Sequence, residues 1–584
     1  MKKLFVLGML ALAGLALAQP KVFKGTEVGK PGGSLRTSSI SDPRTFNPFV
    51  ARETSSTDII GTNLTPCGNI FPNLTTYNPY TLQPEGCLAT SWEVRNNGLT
   101  VIFKLRQGAK WSDGQAIDAD DVVFSATVHA DQKVNSNSRS SFILDGQPIK
   151  WSKVDQYTVR ADFPKPYAPA LIQGWSIAPE HIFGPAYRQG PEKLQALYNL
   201  DTPPAQIVSG GAWLVESYAK GERVVLKRNP NYWGTDEKSN PVAYLERWTF
   251  QIVSNTEAQL ARFLGGDTDL YAAPDGDKVA QVLERIRSGR LNGQIFPNAD
   301  VTTGTNFIVF NWNNKDPFKA NLFRQVKFRR AMAHLMDKKS MIEVAQGGLG
   351  KPQWGPISIP VKQFFTDDVA KYEFNPQKAT QLLAELGFRT KNKDGFLVNA
   401  QGQVLEFNLA TNQGNTLRER IAQIFADEAR KVGVKVNYRP IDFNELVRQL
   451  TSPAADGTRE FDAILIGLTG GIEPAFSRNV WQLNGSLHAW NQGVNGQKPA
   501  RLEPFEVLID KLMTQGATTL DPAKRREIYV QFQKVVAENL PVIYTVAPAY
   551  NPARLNRIGG LFGKEEINAI VGQYPYIETV FAKE

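Results

Sequence analysis

Cysteine, histidine and methionine are scarce in this 584-residue chain, which holds two, four and six of them. Two cysteines, Cys67 and Cys87, exclude a disulfide-dense scaffold and a cysteine-ligated metal cluster. His129, His181, His334 and His488 stand far apart and share no ligand spacing with the cysteines, so no structural zinc site is expected. Catalytic signatures are missing too: there is no Gly-x-Ser-x-Gly, no phosphate loop ending in Gly-Lys-Ser or Gly-Lys-Thr, and no His-Glu-x-x-His. The run Gly347 to Lys351 approaches a phosphate loop, but Pro352 takes the place of the hydroxyl and a helical pattern precedes it. Asp120 and Asp121 read as helix-start residues rather than a glycosidase pair. There is no low-complexity tract and no short repeat. Beyond the N-terminus no apolar run approaches the ~20 residues of a membrane span.

What is present begins with Lys2 and Lys3, an apolar run from Leu4 to Leu15 and the small-residue exit Ala16-Leu17-Ala18. This reads as a cleavable signal peptide over residues 1–18, with a mature chain starting near Gln19. No cysteine follows the cleavage site, so no lipid anchor is expected and a free periplasmic protein is the simpler reading. In an oxidising compartment Cys67 and Cys87 pair or remain two buried thiols; a bond would add roughly 3 kcal/mol on the chain-entropy model. Net charge is +9, but basic residues are dispersed among almost as many acids, which argues for a solvated surface and against nucleic-acid binding. The groups Arg329-Arg330, Lys338-Lys339 and Lys524-Arg525-Arg526 read as exposed basic faces of helices.

The length predicts three or more lobes. Ser34 to Thr37 reads as a strand followed by the turns at Asp42-Pro43 and Asn47-Pro48. Val101, Phe103 and Leu105 alternate with more polar residues as a strand, and Asp118 with Asp121 marks a helix start. Strands are expected at 223–228, 305–311, 405–410, 434–439 and 461–468. Helices are expected at 258–264, 328–344, 376–386, 417–431, 443–450 and 522–539. Alternation of this kind implies mixed α/β lobes.

The block SWEVRNNGLTVIFKLRQGAKWSDGQAIDADDVVFS, from Ser91 to Ser125, resembles the signature of family 5 of the bacterial extracellular solute-binding proteins. These are the dipeptide, oligopeptide and nickel-binding proteins of ABC importers. Supporting blocks run from Gly32 to Pro48, Ser209 to Gly234, Phe328 to Gly350 and Phe374 to Phe388, in the family's order. The resemblance implies a periplasmic-binding-protein type II fold of α/β class, with two main lobes joined by a hinge and an extra third lobe. It places lobe I at 30–62, 205–297 and 515–584, lobe II at 63–204 and lobe III at 298–514. It further implies a monomeric receptor, not an enzyme, that needs no cofactor and hands its ligand to a membrane permease.

Peptide-binding members carry an aspartate for the ligand's ammonium after the strand that ends here near Gly467. Gly470 and Gly471 occupy that neighbourhood, and Glu473 is the nearest acid. Either Glu473 substitutes or the ligand lacks a held amine. Oligosaccharide-binding members stack tryptophans on sugars, so Trp312, Trp354, Trp481 and Trp490 are candidates for a β-linked, cellobiose-like ligand, with core packing as the alternative for each. Ser38, Ser39, Phe46 and Asn47 in the opening segment, Arg478 as a carboxylate receiver or surface ion pair, and His488 complete the candidates. Oligopeptide is the expected ligand and β-linked oligosaccharide the alternative. Nickel chelate binding and a secreted glycan hydrolase are more remote.

Overall fold

The computed structural model describes residues 20–61, 67–134 and 136–583. The leader expected over residues 1–18 lies outside them. Among the described residues no helix is long and apolar enough to cross a membrane.

Two sheets share one hydrophobic core. In the first, Ala89–Arg95, Thr100–Leu105, Thr158–Asp162 and Lys150–Asp155 form an antiparallel meander. In the second, Trp213–Ala219, Arg223–Arg228, Arg247–Ile252 and Ser34–Ser39 lie side by side, with Ser34–Ser39 parallel to its neighbour and at the sheet edge. Val101 and Phe103 from one sheet and Leu35, Leu226 and Trp248 from the other enter the same core. Cys67 and Cys87 form a disulfide with a Cα–Cα distance of 5.4 Å. The helix Ala119–Ala130 starts in the expected capping box, in which Asp118 and Asp121 each accept from the other's side of the first turn.

A second core surrounds a five-stranded sheet in the order Lys435–Ile441, Glu406–Asn412, Ala463–Leu468, Thr305–Phe310, Val542–Tyr544. Every residue of Thr305–Phe310 is buried, which explains its continuous apolar run. The helices Pro376–Glu385, Thr416–Val432 and Phe443–Thr451 fall within two residues of expectation, and Pro522–Asn539 matches it. Two expectations need correction. The helix foreseen over 328–344 is broken: it ends at His334, and Asp337 recaps the chain by accepting from the Ser340 N–H. Residues 522–545 do not join lobe I, because Tyr529, Phe532 and Val536 pack in the second core and Val542–Tyr544 pairs with Thr305–Phe310, whereas Ala517 just before them packs in the first core.

A smaller third core joins Phe263, Tyr271 and Val282 to Ala553 and Leu555. The chain passes into the second body near Asp300–Gly304 and leaves it at Val546–Tyr550, and these two passes pair antiparallel at Asp300/Tyr550 and Val301/Ala549. A paired double crossing is the geometry of a hinge, since two short segments absorb the rotation together.

Candidate functional site

The strand Ser34–Ser39 lies at the edge of its sheet. Its odd-numbered residues turn their carbonyls to the neighbouring strand: Gly33 O accepts from Glu246 N–H and Ser39 O from Val253 N–H. Arg36 is turned the other way, with its N–H given to Asp269 Oδ2 at 2.7 Å and its carbonyl accepting from Asp269 N–H. The same alternation turns the backbone of Ser38 outward. Asp269 occupies this edge at Arg36, which leaves the Ser38 position as a template for an extended chain.

The opposing wall is the end of Ala463–Leu468 and the loop after it. Gly467 is required there, because a Cβ would stand 2.6 Å from both Arg418 Nη2 and Thr305 O. At Gly470 a Cβ would meet Thr303 O at 2.0 Å, whereas at Gly471 it would project into open space. Trp354 is half-buried, with the Lys338 ammonium 3.5 Å from its ring centroid, so one face is covered. Gly355 beside it borders open space.

The remaining candidates are buried or already paired. Phe46 is buried edge-on to Tyr218, and Asn47 donates through Nδ2 to Leu194 O at 2.8 Å and Leu197 O at 3.0 Å. Trp312, Trp481, His488 and Trp490 form one buried aromatic cluster in the second core, with Trp490 centred 5.5 Å from Trp481 and 6.4 Å from Trp312. Glu506 ties it together by accepting from Trp490 Nε1 at 2.8 Å and lying 3.2 Å from His488 Nε2. This corrects the reading of these rings as stacking platforms: all four are buried in the core, and Trp490 and His488 direct their ring nitrogens to partners inside it. Glu473 is not a free anion either, since Arg525 donates to it at 2.6 Å. Arg478 is fully buried rather than a surface charge.

Two residues went unnoticed in the sequence. Arg418 donates to Asn306 Oδ1 at 3.0 Å and Asn412 Oδ1 at 2.9 Å and has no carboxylate partner among the described residues. Burial alone pulls its guanidinium down to about 10. The available signal was positional: Asn415 caps the helix Thr416–Val432, so Arg418 lies in its first turn, where a cation opposes the helix dipole. Tyr550 ends the hinge strand half-buried, and burial raises its phenol above the ordinary value.

The groups Arg329-Arg330, Lys338-Lys339 and Lys524-Arg525-Arg526 each turn one member inward. Arg329 is 1% exposed, Lys338 7% and Arg525 7%. Desolvation lowers Arg329 to about 9, and its guanidinium is satisfied by carbonyls of Phe323, Arg324 and Asn539.

Two α/β bodies joined by a paired crossing are the architecture of a ligand-capturing protein. The model of bacterial extracellular solute-binding proteins, family 5 Middle, matches residues 83–487, and the chain belongs to that family. It is 36% identical over 98% of its length, and 97% of the relative's, to a "Probable ABC transporter-binding protein" of Deinococcus radiodurans. It is 26% identical to the oligopeptide-binding protein AppA of Bacillus subtilis over 91% of this chain and 90% of AppA. The structure of AppA with a nonapeptide superposes with a TM-score of 0.77 at 24% identity, covering 95% of this chain and all of AppA's. The structure of MelB from Agrobacterium fabrum with stachyose gives a TM-score of 0.81 at 22% identity, covering 96% of this chain and 87% of MelB's.

Proposed function

We propose that this chain, exported by residues 1–18, is a monomeric periplasmic receptor that captures oligopeptides between its two main bodies. It presents them to the permease of an ABC importer and performs no chemistry on them. The observation that carries the ligand class is Arg418, a half-buried guanidinium beside the end of the strand Ala463–Leu468 with only amide oxygens for partners. A buried cation without an anion is costly, and a ligand carboxylate meets that need while a neutral sugar does not. The outward edge at Ser38 supplies main-chain pairing for an extended peptide. The AppA likeness supports the same reading.

A neutral oligosaccharide is the second reading, favoured by the half-buried ring of Trp354 and by the glycines where an ammonium partner is expected. Calorimetry on protein stripped by unfolding and refolding separates them. Peptides of two to nine residues bind, and amidating the C-terminus or replacing Arg418→Gln weakens binding at least about tenfold. Binding of neutral oligosaccharides with no response to peptides overturns the peptide assignment. Release of reducing ends from any bound saccharide overturns the receptor reading.

A further inference from the structure

Beyond the hinge and Arg418, the two bodies meet at a seam with an unusual charge arrangement. On the second body, Glu473 opens the turn Pro474–Ser477 and Arg478 begins the next, Arg478–Trp481. On the first body stand the turn Arg139–Ser141, Tyr167 and Tyr77. Arg478 is 0% exposed. Its Nη2 donates across the seam to Ser140 O, and its guanidinium carbon lies 5.2 Å from the centre of the Tyr167 ring. Its other two nitrogens, Nε and Nη1, are buried without any partner among the described residues.

No acid forms a salt bridge with these donors among the described residues: Glu473 is held by Arg525 at 2.6 Å, and Asp510, whose carboxyl burial pushes up, feels the Arg478 charge without pairing with it. The hydroxyls of Tyr167, beside Ser141, and of Tyr529, beside Arg525, are also buried. Tyr77 is half-buried beside the same group, and burial raises its phenol above the ordinary value. Gly471, whose surroundings are open, lies two residues before Glu473 on the same loop, so the seam adjoins the cleft directly. Crowding unmet hydrogen-bond donors around an unpaired guanidinium is destabilising unless an acceptor of negative charge arrives.

We infer that this seam is a second anion subsite, which takes the carboxylate of an acidic side chain on the bound peptide at Arg478, with Tyr167 and Tyr529 as neutral donors. This rests on the peptide reading of the cleft. Because Arg478 bridges to Ser140 of the opposite body, an acidic residue seated there draws on groups of both bodies and favours the closed state. The receptor then selects peptides by an acidic residue at one position, separately from the terminal carboxylate at Arg418.

The test is a glutamate scan. Hexaalanine and its six single-Glu variants, each also as the Gln counterpart and as the C-terminal amide, are titrated by calorimetry into the stripped protein. One Glu position is expected to bind at least about tenfold tighter than its Gln counterpart, in both acid and amide forms. Arg478→Gln is expected to remove that difference, Glu and Gln peptides being compared within the same variant. Tyr167→Phe, which keeps the packing, is expected to reduce the difference in part. Equal affinity for Glu and Gln at every position overturns the subsite while hexaalanine binding preserves the peptide reading. A Glu preference that survives in Arg478→Gln also overturns it. Failure of every peptide to bind overturns both.

Discussion

Trp490 and Trp354 show what a sequence tells about a single side chain. Both stand in polar, turn-rich stretches, yet Trp490 is wholly buried with its indole N–H spent on Glu506 and Trp354 remains half-buried beside the cleft. Trp490→Ala is therefore expected to lower stability by about 3–5 kcal/mol, read from denaturant unfolding, with peptide affinity of the folded protein unchanged. Trp354→Ala is expected to do the reverse, costing little stability and weakening ligand binding. Loss of binding with full stability in Trp490→Ala would return that ring to the site. Neighbouring residues did not separate these cases, because burial here depends on Trp312, Glu506 and Phe532, which lie far away in the chain. The surface reading of Arg478 fails for the same reason: Ser140 and Tyr167, which meet it, lie more than 300 residues upstream. Arg418 was overlooked although its place in a first helical turn was legible from Asn415 onward.

Elements were more legible than residues, since strand alternation and helix caps are local. Arg223–Arg228 and Pro522–Asn539 lie where alternation and Asp521 put them. The break after His334 was not foreseen, because apolar spacing continues through Met341 and only the Asp337 cap interrupts it. Junctions between elements lie beyond local reading altogether. The short strand Lys21–Val22 meets the C-terminal turn Ile577–Thr579 in a buried cluster. There Lys21 pairs with Glu85 at 2.6 Å, and Tyr232 donates to Glu578 Oε1 at 3.3 Å.

Burial raises the Glu578 carboxyl to about 7. The folded chain therefore keeps a proton that the unfolded chain releases near 4.5, and this stabilisation is full below 4.5 and is lost as pH rises through 7. Glu578→Gln removes the loss, so the wild type is expected to fall by on the order of 2 kcal/mol relative to the variant between pH 5 and 8. Parallel unfolding free energies across that range would contradict it.

At the scale of the molecule, the fold was legible because five sequence blocks in one order matched one family, and the family model covers residues 83–487. The course of the chain between bodies was less so. Helix Pro522–Asn539 returns to the second core before the chain recrosses at Val546–Tyr550, and sequence carries no mark of which core an amphipathic helix joins. The paired crossing at Asp300/Tyr550 and the seam at Ser140/Arg478 then bound the cleft at two places, one acting as pivot and the other meeting only when the bodies are together.

Capture of oligopeptides in that cleft is the central claim, and native mass spectrometry of the protein purified from a bacterial periplasm without denaturation reads it directly. The account predicts a bound population with a spread of peptide masses, released on gentle activation and sequenced as short peptides of two to nine residues. Release of oligosaccharide masses in their place would contradict it.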